Sequence, residues 1–318
     1  MIRALALTGP TASGKTSLSI ELARALGCEI ISCDSMQIYR GMDVGTAKAT
    51  PEQRAEIPHH LIDFLDPEEQ YSAQRYREDA LRVCEDMIAR GKIPLFVGGT
   101  GLYIDSLARA PLTSVPESSP EYRACLMAIA DSEEGKDALF ERLMEVDPES
   151  AATMHKNNVK RVIRALEIFD KTGKPKSYFD RVSREEEPDI IIGMITLDAH
   201  DRELLYKRVD SRVDEMIASG LIEETKRLVS CGFKDTATAS SAIGYKELFS
   251  YLDGEESLDA AKEKLKTATR RYAKRQLTWF RHNTDARRIY IDTEDARLKE
   301  ASELFSEALS AAKELLSI

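Results

Sequence analysis

The sequence predicts an α/β protein: a parallel sheet whose strands alternate with helices, interrupted by one all-helical insertion. Three observations carry this. Apolar runs at 4–7, 29–33, 93–97 and 190–197 have the length and composition of strands buried on both faces, and stretches of helical period separate them. A glycine-rich loop joins the first strand to the first helix. From Pro111 to Pro188 strand patterns stop and only helical periods continue. The expected division is a core made of 1–110 and 189–318, with an insertion at 111–188.

The loop is Gly9-Pro10-Thr11-Ala12-Ser13-Gly14-Lys15-Thr16, which fills every fixed position of G-x-x-x-x-G-K-[ST]. The 4–7 strand precedes it, and Leu18, Leu22, Ala25 and Leu26 give the following segment a helical period. Such a loop wraps backbone N–H groups round an anion at a helix N-terminus, where unpaired donors and the helix dipole favour negative charge. Lys15 adds a point charge on a terminal phosphate, and the Thr16 hydroxyl is a candidate Mg²⁺ ligand. This makes the core P-loop NTPase-like. The loop alone does not say whose phosphates it holds.

Composition narrows the class. At 318 residues and 42% hydrophobic, the chain can bury a sizeable core. A net charge of −10 speaks against indiscriminate nucleic-acid binding, although an acidic chain can carry a basic face. Cys28, Cys33, Cys84, Cys125 and Cys231 are scattered and form no C-x-x-C pair, so reduced thiols are expected rather than disulfides or zinc. No apolar run reaches membrane-spanning length and the N-terminal run is too short for a secretion signal. A cytoplasmic protein is expected.

Taken in order, Gly27 stops the first helix and the 29–33 strand ends at Asp34, which places that carboxylate at the sheet edge beside the phosphate loop, where α/β folds bind ligands. Residues 35–48 have no sustained period and read as a long functional loop. Residues 60–64 are a candidate third strand, and Ser72 caps a helix that Gly91 stops. The 93–97 strand ends in Gly98-Gly99-Thr100-Gly101-Leu102-Tyr103, a second glycine-rich turn at the same edge. In the insertion, Ser118-Ser119-Pro120-Glu121 opens a helix, and 138–146 and 159–171 continue the helical pattern. Lys160 and Arg164 share one face of the last of these, opposite Val162, Ile163 and Leu166.

After the 190–197 strand, a helix carries Arg202, Arg208 and Arg212 interleaved with Asp210 and Asp214, for which surface ion pairing is the default reading. A helix is expected to begin at 242–247, and Ser257 caps a long one reaching about His282. Between Lys262 and Arg288 ten Lys or Arg face only Glu263 and Asp285, with Tyr272, Trp279 and Phe280 interleaved. That composition suits a polyanion with unstacked bases, or equally a helix whose aromatics form its core face. A strand at 288–292 and an amphipathic helix close the chain.

Several blocks, in order and spacing, resemble the bacterial tRNA dimethylallyltransferase family: Gly9 to Thr16; Asp34 to Lys48; Gly98 to Tyr103; 159–167; 242–247; and 274–281. The resemblance spans nearly the whole chain. It implies transfer of a dimethylallyl group from dimethylallyl diphosphate to N6 of the adenosine 3′ to a tRNA anticodon; a monomer without membrane association is expected. Gly9, Pro10, Thr11, Ala12, Ser13, Gly14, Lys15 and Thr16 then grip the donor's diphosphate with Mg²⁺ assisting, and Lys15 and Arg212 act where negative charge develops. Asp34 becomes the base that receives the N6 proton, and Thr100 a partner holding the adenine. Tertiary contact with tRNA falls to Asp34, Ser35, Met36, Gln37, Thr100, Arg123, Lys160, Arg161, Val162, Ile163 and Arg164. It extends to Ser241, Ala242, Ile243, Gly244, Tyr245 and Lys246, and to Lys274, Arg275, Gln276, Leu277, Thr278, Trp279, Phe280 and Arg281. Two other enzymes stay open: an adenylate isopentenyltransferase, and a nucleic-acid-binding P-loop NTPase or kinase with Asp63 or Asp198 as its acidic strand end.

Overall fold

In a computed structural model, residues 2–108 and 119–317 are described. The expected start of the insertion at Pro111, and Ser118, lie outside them. The chain divides into two compact units, 1–108 with 190–318, and 109–189.

The first unit is built on a parallel sheet. Its strands are β1 (Ile2–Thr8), β2 (Cys28–Ser32), β3 (His59–His60), β4 (Ile93–Gly98), β5 (Ile190–Asp198) and β6 (Arg287–Tyr290), in spatial order β3-β2-β4-β1-β5-β6. The α/β, P-loop-type expectation is met. Register brings Thr8 of β1 level with Gly98 and Thr196, so the carboxyl ends of the central strands form one edge. Strand alternation sorts the core into two layers. Leu5, Leu7, Ile30, Leu95, Ile195 and Leu197 pack with the helices Lys15–Leu26 and Ala301–Leu316. Ala4, Ala6, Ile31, Cys33 and Phe96 face the helices Ala73–Ala89 and Gly101–Ala108.

A third apolar cluster joins Ile38, Tyr39 and Met42 of the long loop to Val213, Leu221, Phe233, Tyr245 and Leu265. It anchors the helices Arg202–Ala218, Leu221–Ser230 and Leu258–Arg281 over the carboxyl edge of the sheet.

Two local expectations change. The third strand is confined to His59–His60, because Leu61 and Asp63 take left-handed φ angles of 53° and 60°, which no strand accommodates. The helix expected from 242 is broken: a 3-10 turn at Ala239–Ser241 is followed by Gly244 at φ 114° and a second 3-10 turn at Lys246–Leu248.

The 109–189 unit is helical among its described residues: Pro120–Ile129, Glu133–Val146, Pro148–Ala152, Val159–Thr172 and Lys176–Glu185. Leu126, Leu139, Leu143, Val162, Ile163 and Leu166 form its core. Its charged centre is Glu167, fully buried, which accepts bonds from the Ser119 N–H and pairs with Arg164 at 2.7 Å and Arg123 at 2.9 Å. Burial alone would raise the Glu167 carboxyl; the Ser119 N–H and the two guanidinium groups outweigh it and hold the pKa below its ordinary value.

Candidate active site

A cavity of about 620 Å³ opens at the carboxyl edge of the sheet, within the first unit. One wall is the phosphate loop. Gly14, at φ 92°, is the N-cap of the helix Lys15–Leu26 and supplies no side-chain acceptor, so the first-turn amides are left for a ligand. Lys15 Nζ donates to the Gly9 carbonyl at 3.0 Å and the Pro10 carbonyl at 2.6 Å. Burial, and secondarily the charge of Arg212, push its pKa down to about 7, with Asp34 opposing them. An anion at this loop would restore the ammonium.

The opposite wall comes from the helix Arg202–Ala218. Arg208 and Arg212 both line the cavity, and Arg208 Nε donates to the Ala12 carbonyl at 2.8 Å. Arg212 Nε is buried with no hydrogen-bond partner among the described residues, and burial lowers its pKa while Asp34 raises it. Surface ion pairing is therefore not the role of these two arginines. The neighbouring acids serve elsewhere: Asp210 binds Arg270, and Asp214 binds Lys262 and Lys266.

Asp34 follows β2 and lines the cavity. Its Oδ1 accepts the Met36 N–H at 2.9 Å and the Gln37 N–H at 3.4 Å, which fixes the carboxylate by an Asx-type turn. Thr100, at the end of β4, accepts the Ser35 N–H at 3.0 Å and sends its own N–H to the Cys33 carbonyl at 3.1 Å. The two strand ends are thus stitched together. Tyr272 closes this side of the cavity, its phenol pushed up by burial and then by Asp34.

Gln276 clamps the two glycine-rich turns. Its Oε1 accepts the Thr11 N–H at 2.8 Å and its Nε2 donates to the Gly99 carbonyl at 3.1 Å. A Cβ at Gly99 would lie 1.9 Å from Gln276 Nε2 and would displace that amide.

The structure brings together Gly9 to Thr16, Asp34 to Gln37, Arg212, Ser241 to Gly244, Lys246, Arg275 and Gln276 round or beside this cavity, with Thr100 bonded to its rim. Other candidates have structural side chains. Val162, Ile163, Tyr245, Leu277 and Phe280 have side chains buried in the cores. Arg123 and Arg164 are committed to Glu167, and Arg281 to the buried Asp198, at 2.8 Å. Lys160, Arg161, Lys274, Thr278 and Trp279 are exposed. The basic stretch is largely neutralised: Lys262, Lys264, Lys266, Arg270, Arg281 and Arg287 have carboxylate partners, whereas Arg271, Lys274 and Arg275 have none among the described residues. The place of Arg208 and Tyr272 at the cavity was not legible in the sequence, which offered ion pairing for one and base stacking or core packing for the other.

The acids an NTPase would need are occupied. Asp198 is bound by Arg281, and Asp63 by Lys48 at 2.8 Å and Arg54 at 3.2 Å. Among the described residues no group of three His, Cys, Asp or Glu could hold a metal. Thr16 nevertheless lines the cavity, and Ser13 Oγ is buried beside it without a partner among the described residues. One protein hydroxyl suits Mg²⁺, which keeps waters and takes substrate phosphate oxygens.

A phosphate loop facing cationic side chains and a strand-end carboxylate across one cavity defines a P-loop α/β protein built for an anionic substrate. Family comparison is more specific. The model described as IPP transferase matches residues 37–283, and that described as Isopentenyl transferase matches residues 2–61. The chain belongs to the IPP transferase family and is a transferase of prenyl groups, as its resemblance implied. It is 50% identical over 278 residues to a tRNA dimethylallyltransferase of Geobacillus thermodenitrificans, covering 87% of this chain and 86% of that one. With the corresponding protein of Thermoanaerobacter pseudethanolicus the identity is 45% over 292 residues, 92% of each chain. A crystal structure of tRNA delta(2)-isopentenylpyrophosphate transferase from Staphylococcus epidermidis superposes with a TM-score of 0.70 at 38% identity, over 99% of both chains. A eukaryotic dimethylallyltransferase acting on tRNA gives 0.79 at 29% identity, over 98% of this chain and 78% of that one. Among the described residues no helix is long and apolar enough to cross a membrane.

Proposed function

We propose that this chain transfers a dimethylallyl group from dimethylallyl diphosphate to N6 of the adenosine 3′ to a tRNA anticodon, and releases diphosphate. It would act as a cytoplasmic monomer. The observation that carries the reading is that the phosphate loop with Lys15 and Asp34 line one and the same cavity. The names of the relatives support tRNA as acceptor and a dimethylallyl group as what is transferred.

In the reaction, the bond between the allylic carbon and the bridging oxygen breaks with its electron pair leaving on diphosphate. The loop amides, Lys15 and Arg212 stabilise that charge where it develops. Mg²⁺ held by Thr16 and the donor's own oxygens would neutralise part of it. The N6 lone pair forms the new carbon–nitrogen bond, and Asp34 accepts the N6 proton, its carboxylate aimed by the Met36 N–H. Thr100 holds the base, and Gln37 holds the Thr46 carbonyl beside it. The reaction needs water kept from the allylic cation. Lys160, Arg161, Lys274 and Arg275 supply phosphate contacts.

Incubation with radiolabelled dimethylallyl diphosphate and, separately, unmodified tRNA, AMP and ATP tests the proposal. Label on tRNA alone supports it. Label on AMP or ATP in preference to tRNA would make the chain an adenylate prenyltransferase instead.

A further inference from the structure

Glu224 lies in the helix Leu221–Ser230 and is only 3% exposed, yet no positive side chain binds it among the described residues. Four donors converge on it instead. Oε2 accepts the N–H groups of Asp43 at 3.1 Å and Val44 at 2.9 Å, and Oε1 accepts the Gly45 N–H at 3.0 Å and the Tyr245 hydroxyl at 2.7 Å. A carboxylate taken out of water is tolerated when its lone pairs are filled in this way.

The two segments so joined are walls of the cavity. Gly45, Thr46 and Ala47 line one side, and Ser241 to Gly244 with Lys246 line another. They touch closely: the Tyr245 ring sits where a Cβ on Gly45 would be, 2.5 Å away. On its far side the 43–47 loop is held by Gln37, whose Nε2 donates to the Thr46 carbonyl at 3.1 Å and whose Oε1 accepts the Ser32 hydroxyl at 3.1 Å. Gln37 also belongs to the turn capped by Asp34. A bonded path therefore runs from Glu224 through the 43–47 loop and Gln37 to the carboxylate at the end of β2.

We infer that Glu224 is a positioning residue for prenyl transfer, which sets the 43–47 and 241–245 walls, and through Gln37 the Asp34 turn, in register for the acceptor base. The inference rests on the prenyl-transfer reading. Phosphate-loop contacts lie outside this path, so donor binding does not depend on it.

Glu224→Gln keeps the shape but puts an amide donor where backbone N–H groups already point. The expected result is a tenfold or larger fall in the single-turnover rate per folded enzyme at saturating tRNA, with dimethylallyl diphosphate affinity within twofold of the parent. Combined with Gln37→Ala, the loss should stay within twofold of the worse single variant, because both act through one loop. A parental rate per folded enzyme, or losses that multiply, would overturn the assignment and leave Glu224 as a stabilising residue only. If Glu224→Gln does not fold, Tyr245→Phe removes one of the four bonds and should slow transfer about threefold; parental turnover in that variant would likewise overturn it. The parent enzyme is the reference. An inactive parent sinks the prenyl-transfer reading itself, whereas an active parent with an equally active variant sinks only the role of Glu224.

Discussion

Gln276→Leu tests whether the site is held together across the sheet edge. The side chain is 5% exposed and makes two bonds, 2.8 Å from the Thr11 N–H and 3.1 Å to the Gly99 carbonyl. A leucine of similar volume removes both partners. Each buried group left unsatisfied costs about 1–3 kcal/mol, and the Thr11 amide borders the cavity and regains some water, so the expected loss is about 2–4 kcal/mol. Trp279, the one tryptophan of the chain, lies a turn away on the same helix and reports the transition by fluorescence. Denaturant midpoints of parent and variant, with calorimetric diphosphate affinity, complete the assay. Gly99→Ala should reproduce the effect from the other side, since its Cβ would displace the amide, and the double variant should be no worse than either alone. An unchanged midpoint with affinity within twofold would refute the clamp.

Further expectations concern charge. Lys15 has a folded pKa of about 7 against an ordinary 10.5, so the unfolded chain binds more protons between those values and stability rises with pH across that window. Diphosphate restores the ammonium, so binding at pH 8.5 should take up close to one proton; calorimetry in buffers of different ionisation enthalpy reads this, and Lys15→Met should abolish both the uptake and most of the affinity. Arg281→Met leaves Asp198, 2% exposed, without its cation; since Arg281 itself is 35% exposed and the Ala199 N–H still bonds the carboxylate, denaturant unfolding should show a cost of about 1–3 kcal/mol, and an unchanged midpoint would remove the pair as a structural tie. Charge reversal of the exposed Lys160 and Arg161 should weaken tRNA binding and flatten its salt dependence while sparing donor affinity; an unchanged salt slope would remove them from the interface.

Local features of the site were legible because they are written in consecutive residues. The phosphate loop between a strand and a helix, and Asp34 at the end of β2, follow from pattern and spacing. Features that depend on distant pairing were not. Nothing near Glu224 announces the backbone of residues 43–45, and nothing near Gln276 announces Thr11 or Gly99. The helix Arg202–Ala218 shows why: its alternating charges imitate a solvated face, but Lys262, Lys266 and Arg270 take the acids and leave Arg208 and Arg212 to the cavity. Leu258–Arg281 carried two overlapping patterns. Phe280 belongs to the core, Trp279 stays exposed, and the basic residues divide between ion pairs and open surface.

The central claim, that a carboxylate at the end of β2 takes the N6 proton opposite a diphosphate-holding loop, is tested most directly with Asp34→Asn. Asparagine keeps the oxygen that accepts the Met36 and Gln37 N–H groups, so the turn survives and only the base is lost. Rapid-quench single-turnover transfer from dimethylallyl diphosphate to saturating unmodified tRNA should fall by about 10²-fold or more with donor affinity unchanged. Transfer at the parental rate would contradict the account and reduce Asp34 to the cap of its own turn.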